Sequence, residues 1–260
     1  MLSISKKLRF AISSILLSVG FVLIQFLPGQ FKFPSIAILV LVAGFFSVWS
    51  FYEGLGKNMT LVSLFLPMLF TLSVGIFWFL LPVNIFTRIP IVIFFAVGIY
   101  ALFSTMNIYT VSSSLRTIAL LHAAKGVGFV LTLVTSFLIF DAILSIKQMF
   151  YINFALVFIA SFLMFFQGYW SVELEKKINK EIFLMSLVSS LIIGELSILI
   201  FFWPVTVVVG SLFLTSGVYV LLGLGQAKFE DRLFPSTIRE YLTVGSIVLL
   251  SMFFATRWGN

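Results

Sequence analysis

Apolar runs of about twenty residues recur along this chain, separated by short segments that carry most of its lysines and arginines. A soluble amphipathic helix shows one apolar stripe, whereas runs such as Gly126–Ile146 are apolar almost all round. A helix rises ~1.5 Å per residue, so ~20 apolar residues cross a ~30 Å hydrocarbon layer. A transmembrane barrel would instead alternate apolar and polar residues in segments of ~10. Composition agrees: 61% of the 260 residues are hydrophobic and 10% charged, against ~45–50% and ~25% in soluble domains. With the bilayer as solvent, each segment must satisfy its own backbone polar groups, which selects helices.

The expected fold is therefore an all-α integral membrane protein with about nine transmembrane helices. The runs predict helices over 10–27, 35–54, 60–81, 89–109, 117–146, 150–172, 182–203, 205–225 and 241–256. Pro28, Pro34, Pro82, Pro90 and Pro204 punctuate them, and Trp49, Tyr52, Tyr169, Trp170, Trp203 and Trp258 gather near their ends as an interfacial belt would. Lys6, Lys7 and Arg9 precede the first run as in a signal peptide. No small-residue cleavage site follows, so a retained span is expected. With the N-terminus inside, Lys6, Lys7, Arg9, Lys57, Arg116, Lys176, Lys177, Lys180, Lys228, Arg232 and Arg239 are cytoplasmic. Lys32, Arg88, Lys147 and Arg257 are external. That asymmetry predicts an inner-membrane protein, N-in and C-out. The larger inner loops are then Glu173–Glu181 and Gln226–Glu240. In the second, Thr237 and Glu240 have the Thr-x-x-Glu spacing of a helix start.

An internal duplication is visible in the order of short matches. Leu8-Arg9 leads into Val19-Gly20-Phe21-Val22-Leu23, and Leu115-Arg116 into Val127-Gly128-Phe129-Val130-Leu131. Trp49-Ser50 with Glu53 matches Trp170-Ser171 with Glu173. Pro82-Val83 matches Pro204-Val205, and Gly98-x-Tyr100 matches Gly217-x-Tyr219. Short identities are cheap among Phe-, Leu- and Val-rich helices, but these keep both order and membrane side. They predict a single membrane domain over 1–260, built as a parallel 4+4 repeat: 8–110, then 111–226. An amphipathic inner loop and ninth helix fill 227–260. Parallel-repeat transporters place their sites at the repeat interface.

Glu195 is the main candidate for function. It interrupts the apolar stretch Ile182–Trp203, and an ionised carboxylate at helix centre costs roughly 2.5–3.5 kcal/mol on insertion scales. Ser73 stands opposite it in the repeat alignment. Ser73, Thr206, Tyr100, Tyr219 and Lys125 are its candidate partners, and the neighbouring Gly194 would admit a close helix. One reading makes Glu195 a proton or cation site; the other makes it a protonated carboxyl that fixes helix packing. His122 and Lys125 share a helical face and would either extend a relay or lie at the interface. Asp141 is expected near an outer helix end, wetted or paired close to Lys147. Gln25, Gln167 and Thr135 would line a cavity or bridge helices.

An enzyme is disfavoured. The chain has one His and no Cys, and no Walker loop, no metal-ligand spacing and no Gly-x-Ser-x-Gly elbow. No cofactor is expected. The net charge of +7 is spread over short loops, so it marks topology rather than a nucleic-acid surface.

The second half resembles an uncharacterised bacterial family of polytopic membrane proteins, defined as a domain of unknown function. The likeness rests on Arg116-Thr117, Val127-Gly128-Phe129, Trp170-Ser171-Val172-Glu173-Leu174-Glu175, Gly194-Glu195-Leu196 and Phe202-Trp203-Pro204-Val205-Thr206. It continues through Gly210-Ser211-Leu212-Phe213-Leu214, Thr237-Ile238-Arg239-Glu240-Tyr241 and Thr256-Arg257-Trp258, over 110–258. Such a family implies a membrane fold and no activity. The expected partners are the bilayer, other membrane proteins, or a small-molecule or ion substrate. The expected function is a small carrier or permease-like protein with the intramembrane carboxyl of Glu195 at the repeat interface, and a non-catalytic scaffold or complex subunit is the alternative.

Overall fold

The computed structural model describes residues 5–53, 55, 60–81, 85–112, 118–174 and 179–256. Among these residues there is no strand, and nine helices are long and apolar enough to cross a membrane. The chain is a multi-pass, all-α membrane protein. Its helices are α1 Lys6–Ile24, α2 Gly29–Phe51, α3 Phe65–Leu80, α4 Ile85–Ser112, α5 Ile118–Ser145, α6 Phe150–Glu173, α7 Lys180–Phe202, α8 Val207–Phe229 and α9 Pro235–Ala255. A short 3-10 turn, Thr60–Leu64, leads into α3. Lys57, Arg116, Lys176, Lys177, Arg257 and Trp258, with Pro82-Val83 of the repeat alignment, lie outside the described residues.

Several boundaries differ from the sequence expectation for physical reasons. Pro34 and Pro90 do not break helices; each is the sixth residue of one, α2 and α4. A proline there forfeits one backbone bond close to a helix end, where the cost is smallest. Helix α8 continues to Phe229 and α9 starts at Pro235, so the expected loop over Gln226–Glu240 contracts to Glu230–Phe234. Proline suits the first helical position because its missing N–H would be unpaired there anyway. Thr237 therefore caps nothing: its hydroxyl bonds to Arg232 O at 3.4 Å, inside a helix already begun.

The chain divides into two compact units, Met1–Leu131 and Thr132–Asn260, with the boundary inside α5. In the first unit α1 packs on α2 and α4, and α3 packs on the same two helices. Its core is aromatic. Phe21 stacks on Phe95 with centroids 4.8 Å apart, and Phe95 stacks on Phe70 at 6.0 Å. The Phe70 ring occupies the space where a Cβ on Gly98 would stand, so α3 and α4 approach closely there. At one end Glu53 accepts from Arg9 Nη2 at 2.6 Å and pairs with Lys6 Nζ at 2.5 Å, tying α1 to the residues after α2.

In the second unit α6 packs on α7 and α8, α7 on α8, and α8 on α9. The second half of α5 joins this unit through Ser136, whose hydroxyl lies 3.0 Å from Met164 Sδ on α6. Tyr169 locks three helices together. From α6 its Oη lies 2.9 Å from Ser189 Oγ on α7, and it donates to Leu221 O on α8 at 3.0 Å. Helix α9 stays largely exposed, with Met252 as its buried residue. Its far end is held where Trp203 Nε1 donates to Thr256 Oγ1 at 2.7 Å.

Candidate functional site

The buried face of α7 follows from helical spacing. Ser186, Ser190, Ile193 and Ser197 recur at intervals of three and four residues, and all are buried. Gly194 belongs to that face: a Cβ there would meet Phe154 of α6 at 2.8 Å. At about 100° per residue, Glu195 lies about 200° around the helix from Ile193, and it is exposed. Its surroundings on that face are apolar and also exposed: Val188, Leu191, Ile192, Leu199 and Phe202. Seven residues separate it from Phe202, the last residue of α7, which places it ~10 Å from the helix end. Among the described residues, none makes a hydrogen bond or an ion pair with Glu195.

The expected partners are distributed as follows. Thr206 and Tyr219 share the second unit with Glu195 and bond elsewhere. Thr206 Oγ1 accepts from Val209 N–H at 3.4 Å and caps α8, while the Tyr219 ring packs on Tyr241 at 5.1 Å. Ser73, Tyr100, His122 and Lys125 belong to the first unit. Ser73 is buried and donates to Phe70 O at 2.9 Å within its own helix. Tyr100 and His122 are exposed and Lys125 is half-buried. Helix α5 begins at Ile118, so His122 stands in its second turn and Lys125 one turn further.

Asp141 departs from the sequence reading. It is not wetted at a helix end; it is 5% exposed. The cause is local: Ile139, Phe140, Ala142 and Ile143 around it are buried too, so this stretch of α5 is enclosed on all sides. Its polar neighbour is Ser211 on α8, whose Oγ lies 3.4 Å from Asp141 Oδ1. The same hydroxyl donates to Val207 O at 2.7 Å. One proton cannot serve both acceptors well, so the carboxyl holds the weaker contact.

One turn beyond Asp141, towards the end of α5, a cavity of about 230 Å³ opens between the ends of α5 and α7 and the starts of α6 and α8. Leu144, Lys147, Asn153, Trp203 and Thr206 help to line it. Asn153 is 2% exposed, and its Oδ1 has no hydrogen-bond partner. Lys147, two residues past the end of α5, has a left-handed conformation, φ 53°, which a side-chain-bearing residue adopts only at a cost of ~1–2 kcal/mol. The sequence pointed to neither role. Asn153 reads as a single polar residue near a helix start, and Lys147 as a topology signal.

Comparison with known proteins adds a family and nothing finer. No curated protein and no solved structure matches the chain. Residues 36–255 match the model of a family described as "Protein of unknown function (DUF5656)". The match reaches back well beyond the second-half stretches that carried the resemblance: it begins within α2 and takes in α3 and α4. With its apolar helices and a match over most of its length, this chain belongs to the DUF5656 family of proteins of unknown function.

Proposed function

We propose that this protein is a non-catalytic membrane subunit that assembles with another membrane protein through the Glu195 face of α7. The observation that carries this reading is the exposure of Glu195 among exposed apolar side chains, with no partner among the described residues. A carboxyl held against lipid is costly. A partner helix that brings a hydrogen-bond donor or a cation to the same depth removes that cost and gains specificity. Intramembrane hydrogen bonds of this kind contribute ~1–2 kcal/mol. The chain sits in the cytoplasmic membrane, N-in and C-out, on the strength of its Lys/Arg asymmetry. The parallel repeat belongs to the same reading. In the first unit α1 bonds to α2 and α4 through Ser13···Ser50 and Ser14 to Ala96 O; in the second, α5 bonds to α6 and α8 through Ser136 and Asp141.

The test is the size of the native complex extracted from membranes. Wild type should migrate well above the 29.2 kDa chain, and Glu195→Leu should weaken association by about tenfold. An unchanged monomer in both proteins would reject the reading.

A proton-linked carrier is the second reading. It is favoured by the buried polar side chains of the second unit, Thr135, Ser136, Asp141 and Ser211. Here Asp141→Asn, which alters the one carboxyl of that buried group, would abolish coupled uptake while leaving folding intact. Retention of uptake by that variant would reject it.

A further inference from the structure

The outward side of α7 carries a repeat as well as an apolar character. Glu181, Leu184, Val188, Leu191, Glu195 and Phe202 are all exposed. They stand three, four, three, four and seven residues apart, and half-buried Ile198 divides the last step into three and four. That is the 3.5-residue spacing of a seam between two helices that cross at about 20° in a left-handed sense. It runs from the second residue of α7 to its last. A straight helix drifts by ~20° per seven residues against such a repeat, so the seam stays covered only where a second helix winds along it.

Two acids stand on this seam, and they differ. Glu181, at the start of α7, accepts from Lys228 Nζ on α8 at 2.6 Å, so its charge is balanced within the chain. Glu195 has no such partner among the described residues. A helix that covers the seam must therefore bring a hydrogen-bonding group to the depth of Glu195, ~10 Å from the end of α7.

We propose that this helix is α7 of a second copy of the chain, packed about a two-fold axis along the membrane normal; the inference rests on the assembly reading above and names its partner. Three features favour the copy. All copies enter the membrane in one orientation, so the two α7 helices run parallel and their Glu195 residues share one depth by construction. A carboxyl that carries its proton both donates and accepts, so Glu195 is complementary to its own equivalent, one copy donating and the other accepting. The apolar seam residues likewise meet their equivalents, as in any parallel symmetric pair of helices. Glu181, already balanced by Lys228, approaches its equivalent without an uncompensated charge.

The experiment co-expresses two full-length copies with different tags and captures one of them from detergent extracts. Wild type should bring down the other copy. Glu195→Leu should weaken the pair about tenfold, while Glu195→Gln, whose carboxamide also donates and accepts, should stay within about threefold of wild type. The chain has no cysteine, so single substitutions report the contact face in intact membranes. Under oxidation Val188→Cys should give a band at twice the mass of the 29.2 kDa chain, because equivalent seam positions come within disulfide reach. Ser190→Cys, on the buried face, should give none. Thermal stability of each variant reports on folding. Failure to capture the second tag from a complex larger than one chain would assign the face to a different protein. That result overturns this inference and leaves the assembly reading in place, whereas a wild-type monomer would end both. Undiminished capture with Glu195→Leu, a Glu195→Gln as weak as Glu195→Leu, or cross-linking at position 190 and not at 188 would also overturn it.

Discussion

Glu53 lies two residues beyond the end of α2 with Lys6 Nζ at 2.5 Å and Arg9 Nη2 at 2.6 Å. Glu195 lies in the body of α7 with neither a cation nor a hydrogen-bond donor on it among the described residues. The two cations hold the Glu53 carboxyl below the usual carboxylate range, the bonds from Lys6 and Arg9 being the main cause. Arg9 in turn has a side chain only 7% exposed and needs that carboxylate. The chain thus completes one acid from its own sequence and leaves the other to its surroundings. A self-satisfied charge at a helix end is a structural clamp. An unsatisfied one on an apolar face is a place for something else to bind.

The largest expected effect sets the two sides of α7 against each other. Gly194→Leu forces a side chain into Phe154 and should cost about 3 kcal/mol or prevent folding. Glu195→Leu, one residue away, should leave the isolated chain as stable as wild type or more so. Chemical denaturation in detergent measures both, and an innocuous Gly194→Leu would mean that α7 is turned the other way.

Glu53→Gln comes next. It leaves Arg9 without its ionic partner and should cost about 1 kcal/mol, less than a fully buried pair because Glu53 is itself 41% exposed. The pH dependence has a definite sign. A depressed carboxylate pKa contributes stability above the ordinary value of about 4.3 and loses it as pH falls through the lower, folded value. Wild type should therefore hold its stability from neutral pH to about pH 5 and lose part of it below about pH 4. Glu53→Gln should flatten that acid limb, and an unchanged limb would show that the clamp contributes nothing.

The smallest effect is that of Glu195→Gln on the isolated chain, within about 0.5 kcal/mol of wild type. A loss of 2 kcal/mol or more would make Glu195 part of the internal packing and erase its contrast with Glu53.

Much of this fold was legible because hydrophobic length acts locally. The run around Ile182–Trp203 fixes a spanning helix whatever its neighbours do, and the observed α7 differs from it by two residues at the start and one at the end. The direction of Glu195 was present in the spacing but not read from it: the serines at 186, 190 and 197 mark the inner face and residue 195 falls opposite them, whereas the sequence reading set it at the repeat interface with partners on other helices. Asp141 was not legible: the stretch of α5 around it is buried on all sides and has no polar face to set the phase, so an acid near the helix end reads as wet. Asn153 was hidden for a related reason, since an orphaned acceptor is a property of surrounding helices and not of spacing. At α9 two start signals competed, and Pro235 prevailed over Thr237 because it comes first and its fixed φ already suits a helix.

The central claim, that Glu195 stands on an open lipid-facing surface, is tested most directly by a single spin label. The chain contains no cysteine, so Glu195→Cys creates the sole attachment point. In lipid, at dilutions that keep the chain apart, the label should be mobile, accessible to oxygen and inaccessible to a water-soluble nickel relaxant. Assembly with a partner should immobilise it. An immobile label, shielded from oxygen in the isolated chain, or one relaxed by the nickel reagent, would contradict the account and place position 195 in a packed core or a water-filled path.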